Sequence, residues 1–103
     1  MSYKISVKQF LEESRTGNID YIDFSQKLSE EVQRLNKKFN FFRHISEIGR
    51  IKARPKLFGL PVSVKDNICT EGMVSSAGSK ILEDYIPPFD ATSVSRVKEY
   101  GGV

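Results

Sequence analysis

Lys65 has the strongest claim to chemistry in this sequence. It closes the run Leu60-Pro61-Val62-Ser63-Val64, whose β-branched residues specify a strand, and it precedes Asp66-Asn67, a turn-forming pair. A lysine at the carboxyl end of a strand in an open α/β sheet lies where such folds hold their ligands. Set among apolar walls such as Val62 and Val64 provide, a lysine loses its proton more readily and becomes a base. Taken by itself, Lys-Asp-Asn reads first as an ordinary charged turn.

The other reactive side chains offer less. Cys69 is the single cysteine and has no basic neighbour in sequence, so it reads as a small apolar residue rather than a nucleophile. His44 is the single histidine, with no spacing to a serine and a carboxylate that would make a triad, and is expected to be partly buried and structural. No Gly-rich phosphate loop, no metal-spaced His/Cys cluster and no G-x-S-x-G elbow occurs, so neither a cofactor nor a metal is expected on this chain.

The elements that must position Lys65 follow from periodicity. Ser6 with Gln9 has the spacing of a capping box and starts a helix that carries Val7, Phe10, Leu11 and Ser14 on one face. Gly17-Asn18 supplies its left-handed stop. A second helix starts at Asp20 or Asp23, carries Phe24, Leu28, Val32 and Leu35 inward, and ends at Asn36-Lys37-Lys38. The phenylalanines of Phe39 to Ile45 predict a short strand, and polar, basic Ser46 to Lys56 a connection. Leu60 to Lys65 is the second strand, opening after a Gly-x-Pro turn.

Gly72 to Gly78 is loop-like, Ser79 to Tyr85 a short helical turn, and Pro87-Pro88 stops it. Asp90 is the expected N-cap of a last helix over Ala91 to Tyr100, with Val94 and Val97 inward and Gly101 at its end. Helix, Gly-Gly and a β-branched residue normally introduce the next strand of a βαβ unit, so the α/β fold is expected to be incomplete within these residues. Truncation of a longer chain and one half of a split enzyme both fit that expectation.

Two ordered segments then carry a family resemblance. The run Gly59-Leu-Pro-Val-Ser-Val-Lys65-Asp-Asn67-Ile-Cys-Thr-Glu-Gly72, followed by Ser75-Ser-Ala-Gly-Ser79, resembles the opening of the amidase signature family. Ser79-Lys-Ile-Leu-Glu-Asp-Tyr-Ile-Pro-Pro-Phe-Asp-Ala-Thr92 is similar, more narrowly, to members that serve as the glutamine-hydrolysing subunit of tRNA-dependent amidotransferases. The likeness is dense from Leu57 to Val103 and looser over the two N-terminal helices. The fold it implies is α/β: N-terminal helices over about 1–38, then the first strands and helix of an open mixed sheet over about 39–103, all in one incomplete domain.

The resemblance also implies a Ser–cis-Ser–Lys mechanism of amide hydrolysis, with the catalytic lysine falling on Lys65. Both serines belong to a Gly/Ser-rich stretch that comes later in the family. Ser75, Ser76 and Ser79 do not match it, and are expected to shape the loop or to hydrogen-bond near Lys65. Implied partners are amidotransferase subunits B and C, with tRNA reached through the complex. ATP and glutamine are implied as substrates of that complex. The chain alone is expected to be inactive, and a stand-alone amidase of small amides is the alternative within the family.

Composition bounds these readings. The 103 residues suffice for one small domain, with 39% hydrophobic and 28% charged residues, an ordinary globular mixture. No apolar run approaches bilayer length and no secretory leader is present at the N-terminus, so a cytoplasmic protein with no membrane partner is expected. The net charge is +3, concentrated between Arg34 and Lys56, where eight basic residues face one acid, Glu47. That patch, beside Phe39, Phe41 and Phe42, is the sole support for a different class: a small basic RNA-binding or scaffold module without catalysis.

Overall fold

Ser6 and Asp20 open the first two helices with their own side chains. In the computed structural model, which describes residues 4–46 and 56–103, Ser6 Oγ accepts the Gln9 N–H at 3.1 Å and starts α1, Val7–Arg15. Gln9 does not complete the expected capping box; its side-chain amide donates to Glu13 one turn on, at 2.9 Å. Gly17, at φ +81°, ends the helix as expected. Asn18 N–H bonds the Glu13 carbonyl and Gly17 N–H that of Ser14, the paired closure that a left-handed residue permits.

The Asp20 carboxylate accepts the N–H groups of Ile22 and Asp23 at 3.0 and 3.2 Å, opening α2, Tyr21–Phe39. Asn36-Lys37-Lys38, expected to stop this helix, instead lies inside it, and Asn40 ends it at φ +51°. Asparagine tolerates the left-handed region better than other non-glycine residues. Phe10 from α1 meets Phe24 from α2 with ring centroids 5.1 Å apart, tilted by 55°, and both rings are buried. Each contributes about 1.5–3 kcal/mol of burial. The rest of the expected apolar faces is only half covered: Leu11, Leu28, Val32 and Leu35 are half-buried, and Val7 is exposed.

The two expected strands are not formed as strands. Phe39 closes α2, and residues 40–46 have no regular structure. A strand needs a neighbour to take up its backbone groups. Here Asn36 takes them instead, its amide bonding both the N–H and the carbonyl of Phe42 at 2.7 and 2.8 Å. The expected connection over 46–56 lies, from 47 to 55, outside the described residues.

Residues 60–65 are extended, as the valines require, but the ladder around them is minimal. Val103 N–H bonds the Leu60 carbonyl at 2.9 Å and Val62 N–H bonds the Val103 carbonyl at 2.6 Å, which is the alternation of a parallel pair. Val62 and Val64 are exposed, so this segment is not interior to a sheet here.

The pairing is prepared at both ends. Leu57 and Gly59 donate to the carbonyls of Tyr100 and Gly101 at 2.9 and 2.7 Å. The turn between them, Leu57 to Leu60, has Phe58 and Gly59 both at positive φ. Buried Ser25 of α2 donates its hydroxyl to the Gly59 carbonyl at 3.4 Å, tying the helical part to this turn.

After a 3₁₀ turn at Lys80–Leu82, capped by Ser79, the chain enters α3, Thr92–Glu99, whose Val94 is buried and Val97 half-buried. Its N-cap is Ala91, with no side-chain cap. Asp90 does not cap α3; it accepts the Glu71 N–H at 2.7 Å and both its oxygens receive Lys98 Nζ, at 3.0 and 2.9 Å. An ionic partner and a loop amide together satisfy the carboxylate better than one helix N–H would. At the other end, Gly101 and Gly102 donate to the carbonyls of Lys98 and Val97, closing the helix and aiming Val103 at Leu60.

The resulting surface is large for the mass. It measures 7642 Å², where a folded monomer of 11.7 kDa exposes about 5,900 Å². Among the described residues Ile81, Phe39, Val7, Ile86, Phe41 and Phe89 are each more than half exposed. This architecture leaves apolar faces uncovered.

Candidate active site

Lys65 stands at the end of the extended segment, where its carbonyl accepts the Ile68 N–H at 2.9 Å and the chain turns. The side chain is exposed, without a hydrogen bond or ion pair to its ammonium among the described residues. The apolar surround expected from Val62 and Val64 is therefore open on this chain, both valines being exposed as well.

Asp66, next to it, is the most heavily bonded side chain of the region. Its Oδ1 accepts the Ser76 N–H at 3.0 Å, and its Oδ2 accepts the Ser76 hydroxyl and, at 3.4 Å, the Gly78 N–H. The Arg43 guanidinium lies 3.8 Å from the same oxygen. The main chain adds a bond from Ala77 N–H to the Asp66 carbonyl at 3.1 Å. The Ser76 hydroxyl first, then the Ser76 N–H, the Gly78 N–H and the Arg43 charge, hold the carboxyl below the usual carboxylate range against the opposing effect of burial.

The loop can close on the carboxylate because Ala77 and Gly78 both take positive φ, +49° and +71°. The N–H groups of Ser76 and Gly78 then converge on the carboxylate, while that of Ala77 between them bonds the Asp66 carbonyl. Ser76 is buried at 4% exposure, and Ser75 beside it at 7%. Ser75 N–H bonds the Tyr85 carbonyl and its hydroxyl accepts the Thr70 N–H at 3.3 Å. Ser79 caps the 3₁₀ turn through Ile81 N–H. The three serines thus shape the loop, and Ser76 reaches the neighbour of Lys65 rather than Lys65 itself.

The remaining candidates lie apart from this cluster. Cys69 is half-buried, and its carbonyl accepts the Ala91 N–H at 2.8 Å, linking the turn after Lys65 to the start of α3. His44, expected to be partly buried, is exposed, because the segment carrying it has no strand partner to cover it. Phe39 and Phe41 are exposed and stacked at 6.2 Å, with Phe42 edge-on to Phe41 and Lys38 Nζ 5.3 Å from the Phe39 ring. Of the basic patch, Arg50, Lys52 and Arg54 fall outside the described residues. No group of three or more His, Cys, Asp or Glu among the described residues is arranged to hold a metal ion. No helix among them is long and apolar enough to cross a membrane.

In the sequence Asp66 reads only as a turn former, and its part in the site is missed. The signal was present: an aspartate ten residues before a Ser-Ala-Gly run has a loop of suitable length to fold back onto its carboxylate.

Known proteins place these features in context. Residues 21–103 match the family described as Amidase. The A subunit of glutamyl-tRNA(Gln) amidotransferase from Persephonella marina is 43% identical over 77 residues, covering 75% of this chain and 14% of that protein. The corresponding protein of Lysinibacillus sphaericus is 33% identical over 110 residues, covering 96% of this chain and 23% of its own length. The crystal structure of the Thermotoga maritima A subunit of glutamyl-tRNA(Gln) amidotransferase superposes with a TM-score of 0.77 at 34% identity, covering 97% of this chain and 22% of that one. This chain therefore spans less than a quarter of the length of these relatives.

Proposed function

The chain belongs to the amidase family, and on that premise we propose that it is the N-terminal part of the glutamine-hydrolysing A subunit of a tRNA-dependent amidotransferase, with Lys65 as its catalytic base. The likeness to the Thermotoga maritima protein, at 34% identity across 97% of this chain, carries the reading. The complete protein releases ammonia from glutamine, and the ammonia serves to convert Glu-tRNA(Gln) to Gln-tRNA(Gln) at the expense of ATP. Subunits B and C are its partners, tRNA is reached through that complex, and the site of action is the cytoplasm. The chain is then the N-terminal part of a single amidase domain, its helical start over about 1–38 and the start of its α/β core over about 39–103.

In this mechanism neutral Lys65 takes a proton, through a cis-serine, from the nucleophilic serine. That serine attacks the side-chain amide carbon of glutamine, and an oxyanion hole stabilises the tetrahedral intermediate as ammonia leaves. Neither serine belongs to these 103 residues, so the chain alone is inactive. Lys65, Val62 and Val64 are exposed on this chain, so the walls that a lysine base needs would have to come from the rest of an amidase domain.

A second reading, an RNA-binding module without catalysis, draws on the exposed Phe39–Phe41 stack beside Lys38. It accounts for none of the residues from 57 to 103, and we set it second.

The test is ammonia release from glutamine by the full-length protein with its partners. Lys65→Ala should nearly abolish turnover. Lys65→Arg should fail almost as badly, because a guanidinium keeps its proton at any working pH. Cys69→Ala and Ser75→Ala should retain most activity. Near-normal turnover by Lys65→Arg, or its loss in Cys69→Ala, would remove the lysine from the role of base.

A further inference from the structure

A lysine that must act neutral has an aspartate as its immediate neighbour. A free carboxylate there would favour the protonated ammonium and oppose base catalysis. The structure gives that carboxylate other partners. Ser76 N–H, the Ser76 hydroxyl, Gly78 N–H and the Arg43 guanidinium converge on its two oxygens. Gly78 lies against the same guanidinium, since a Cβ built there would come within 3.9 Å of Arg43 Nη2. Asp66 follows Lys65 in the turn that the Lys65 carbonyl closes with the Ile68 N–H at 2.9 Å. Fixing Asp66 into the loop therefore also fixes the backbone from which the Lys65 side chain departs.

We infer that Asp66 is a positioning residue for Lys65, and that the Ser76–Gly78 loop with Arg43 forms a clamp that engages its carboxylate and sets the direction of the lysine side chain. The inference deepens the proposed function and rests on Lys65 being the base. Ser76 is the key of the clamp: it supplies two of the four donors, it is buried, and its hydroxyl is within hydrogen-bond reach of no described group except Asp66. Arg43 is exposed at 64% of its side chain and bonds from farther off, so it contributes less.

The experiment measures kcat and KM for glutamine hydrolysis by the full-length polypeptide that carries this chain, assembled with its partner subunits. The variants are Ser76→Ala, Ser76→Thr, Asp66→Asn and Lys65→Ala. Ser76→Ala and Asp66→Asn should lower kcat by at least tenfold while KM stays within about twofold, because misdirection of a base slows the chemical step without touching substrate binding. Ser76→Thr keeps the hydroxyl and should recover most of the turnover that Ser76→Ala loses. An unchanged kcat in Ser76→Ala, a matching rise in KM, or failure of Ser76→Thr to recover turnover would overturn the clamp. Lys65→Ala separates the two ideas: full activity there defeats the assignment of the base, whatever the clamp variants do.

Discussion

Gly102 sits where the chain has no room for a methyl group, and replacing it tests how α3 hands the backbone over to the parallel pair. A Cβ at Gly102 would lie 2.5 Å from Val97 Cγ1, 3.2 Å from the Val97 carbonyl oxygen and 3.3 Å from Leu57 Cδ1. Carbon atoms in contact prefer about 3.5–4.0 Å, so the new methyl stands roughly 1 Å inside Val97. Valine in a helix is nearly confined to one χ1 rotamer and cannot swing away. Overpacking of this kind costs about 1–3 kcal/mol. A cost near 2 kcal/mol lowers the melting temperature of a domain this size by roughly 8–16 °C.

The assay is urea unfolding followed by far-UV circular dichroism, for Gly102→Ala, Val97→Ala and the double variant. Val97→Ala removes the offending Cγ1, so the double variant should be more stable than the two single losses add up to, by about 1–2 kcal/mol. Gly101→Ala is the control. Its cost arises from backbone at φ +90°, about 1–2 kcal/mol for a residue with a Cβ, and Val97→Ala should not relieve it. Strict additivity of Gly102→Ala with Val97→Ala would refute the reasoning, because the clash would then not be with Val97.

Two further outcomes follow from the same structure. The isolated chain, with a surface well above that of an ordinary monomer of its mass, should be marginal, unfolding at low urea and binding a hydrophobic dye; a sharp, reversible thermal transition without dye binding would count against it. Stability should also fall in acid. The Ser76 hydroxyl and its companions hold Asp66 low, while at Asp90 burial pushes upward but the bonds from Lys98 and Glu71 outweigh it, so both folded values lie below the unfolded ones. Their contribution is then fully present above the unfolded value of about 3.9 and is lost as pH falls through the folded values. Urea midpoints for wild type and Asp66→Asn at pH 3 to 6 check this, and a midpoint that rises on acidification would contradict it.

The helices were legible in the sequence because their signals are local. Ser6, Asp20, Gly17 and Gly101 each act within one turn of their own position, and the structure places a cap or a left-handed stop at all four. The strands were not, because a strand is a property of its neighbour. Phe39 to Ile45 carries the residue types of a strand, yet α2 absorbs Phe39 and the Asn36 amide takes the backbone groups of Phe42. Leu60 to Lys65 is extended but, among the described residues, finds a ladder partner only at Val103.

At the candidate site the same division holds, with a different consequence. Lys65 was a candidate from its place at the end of a strand-like run and from the family resemblance around it. The bonding of Asp66 was not legible, since it joins Asp66 to groups ten and twelve residues ahead and to Arg43 far behind. The loop geometry that permits this needs positive φ at Ala77 as well as Gly78. An alanine held there costs about 1–2 kcal/mol, a strain tolerated only if the bonds it allows are worth more. A carboxylate receiving a buried hydroxyl and two N–H groups meets that condition, hydrogen bonds to a charged group contributing about 1.5–3 kcal/mol each, and the exposed Arg43 guanidinium 3.8 Å away adds less. The strained alanine, the buried serine and the lowered Asp66 carboxyl are therefore one device, and every part of it lies between Arg43 and Gly78.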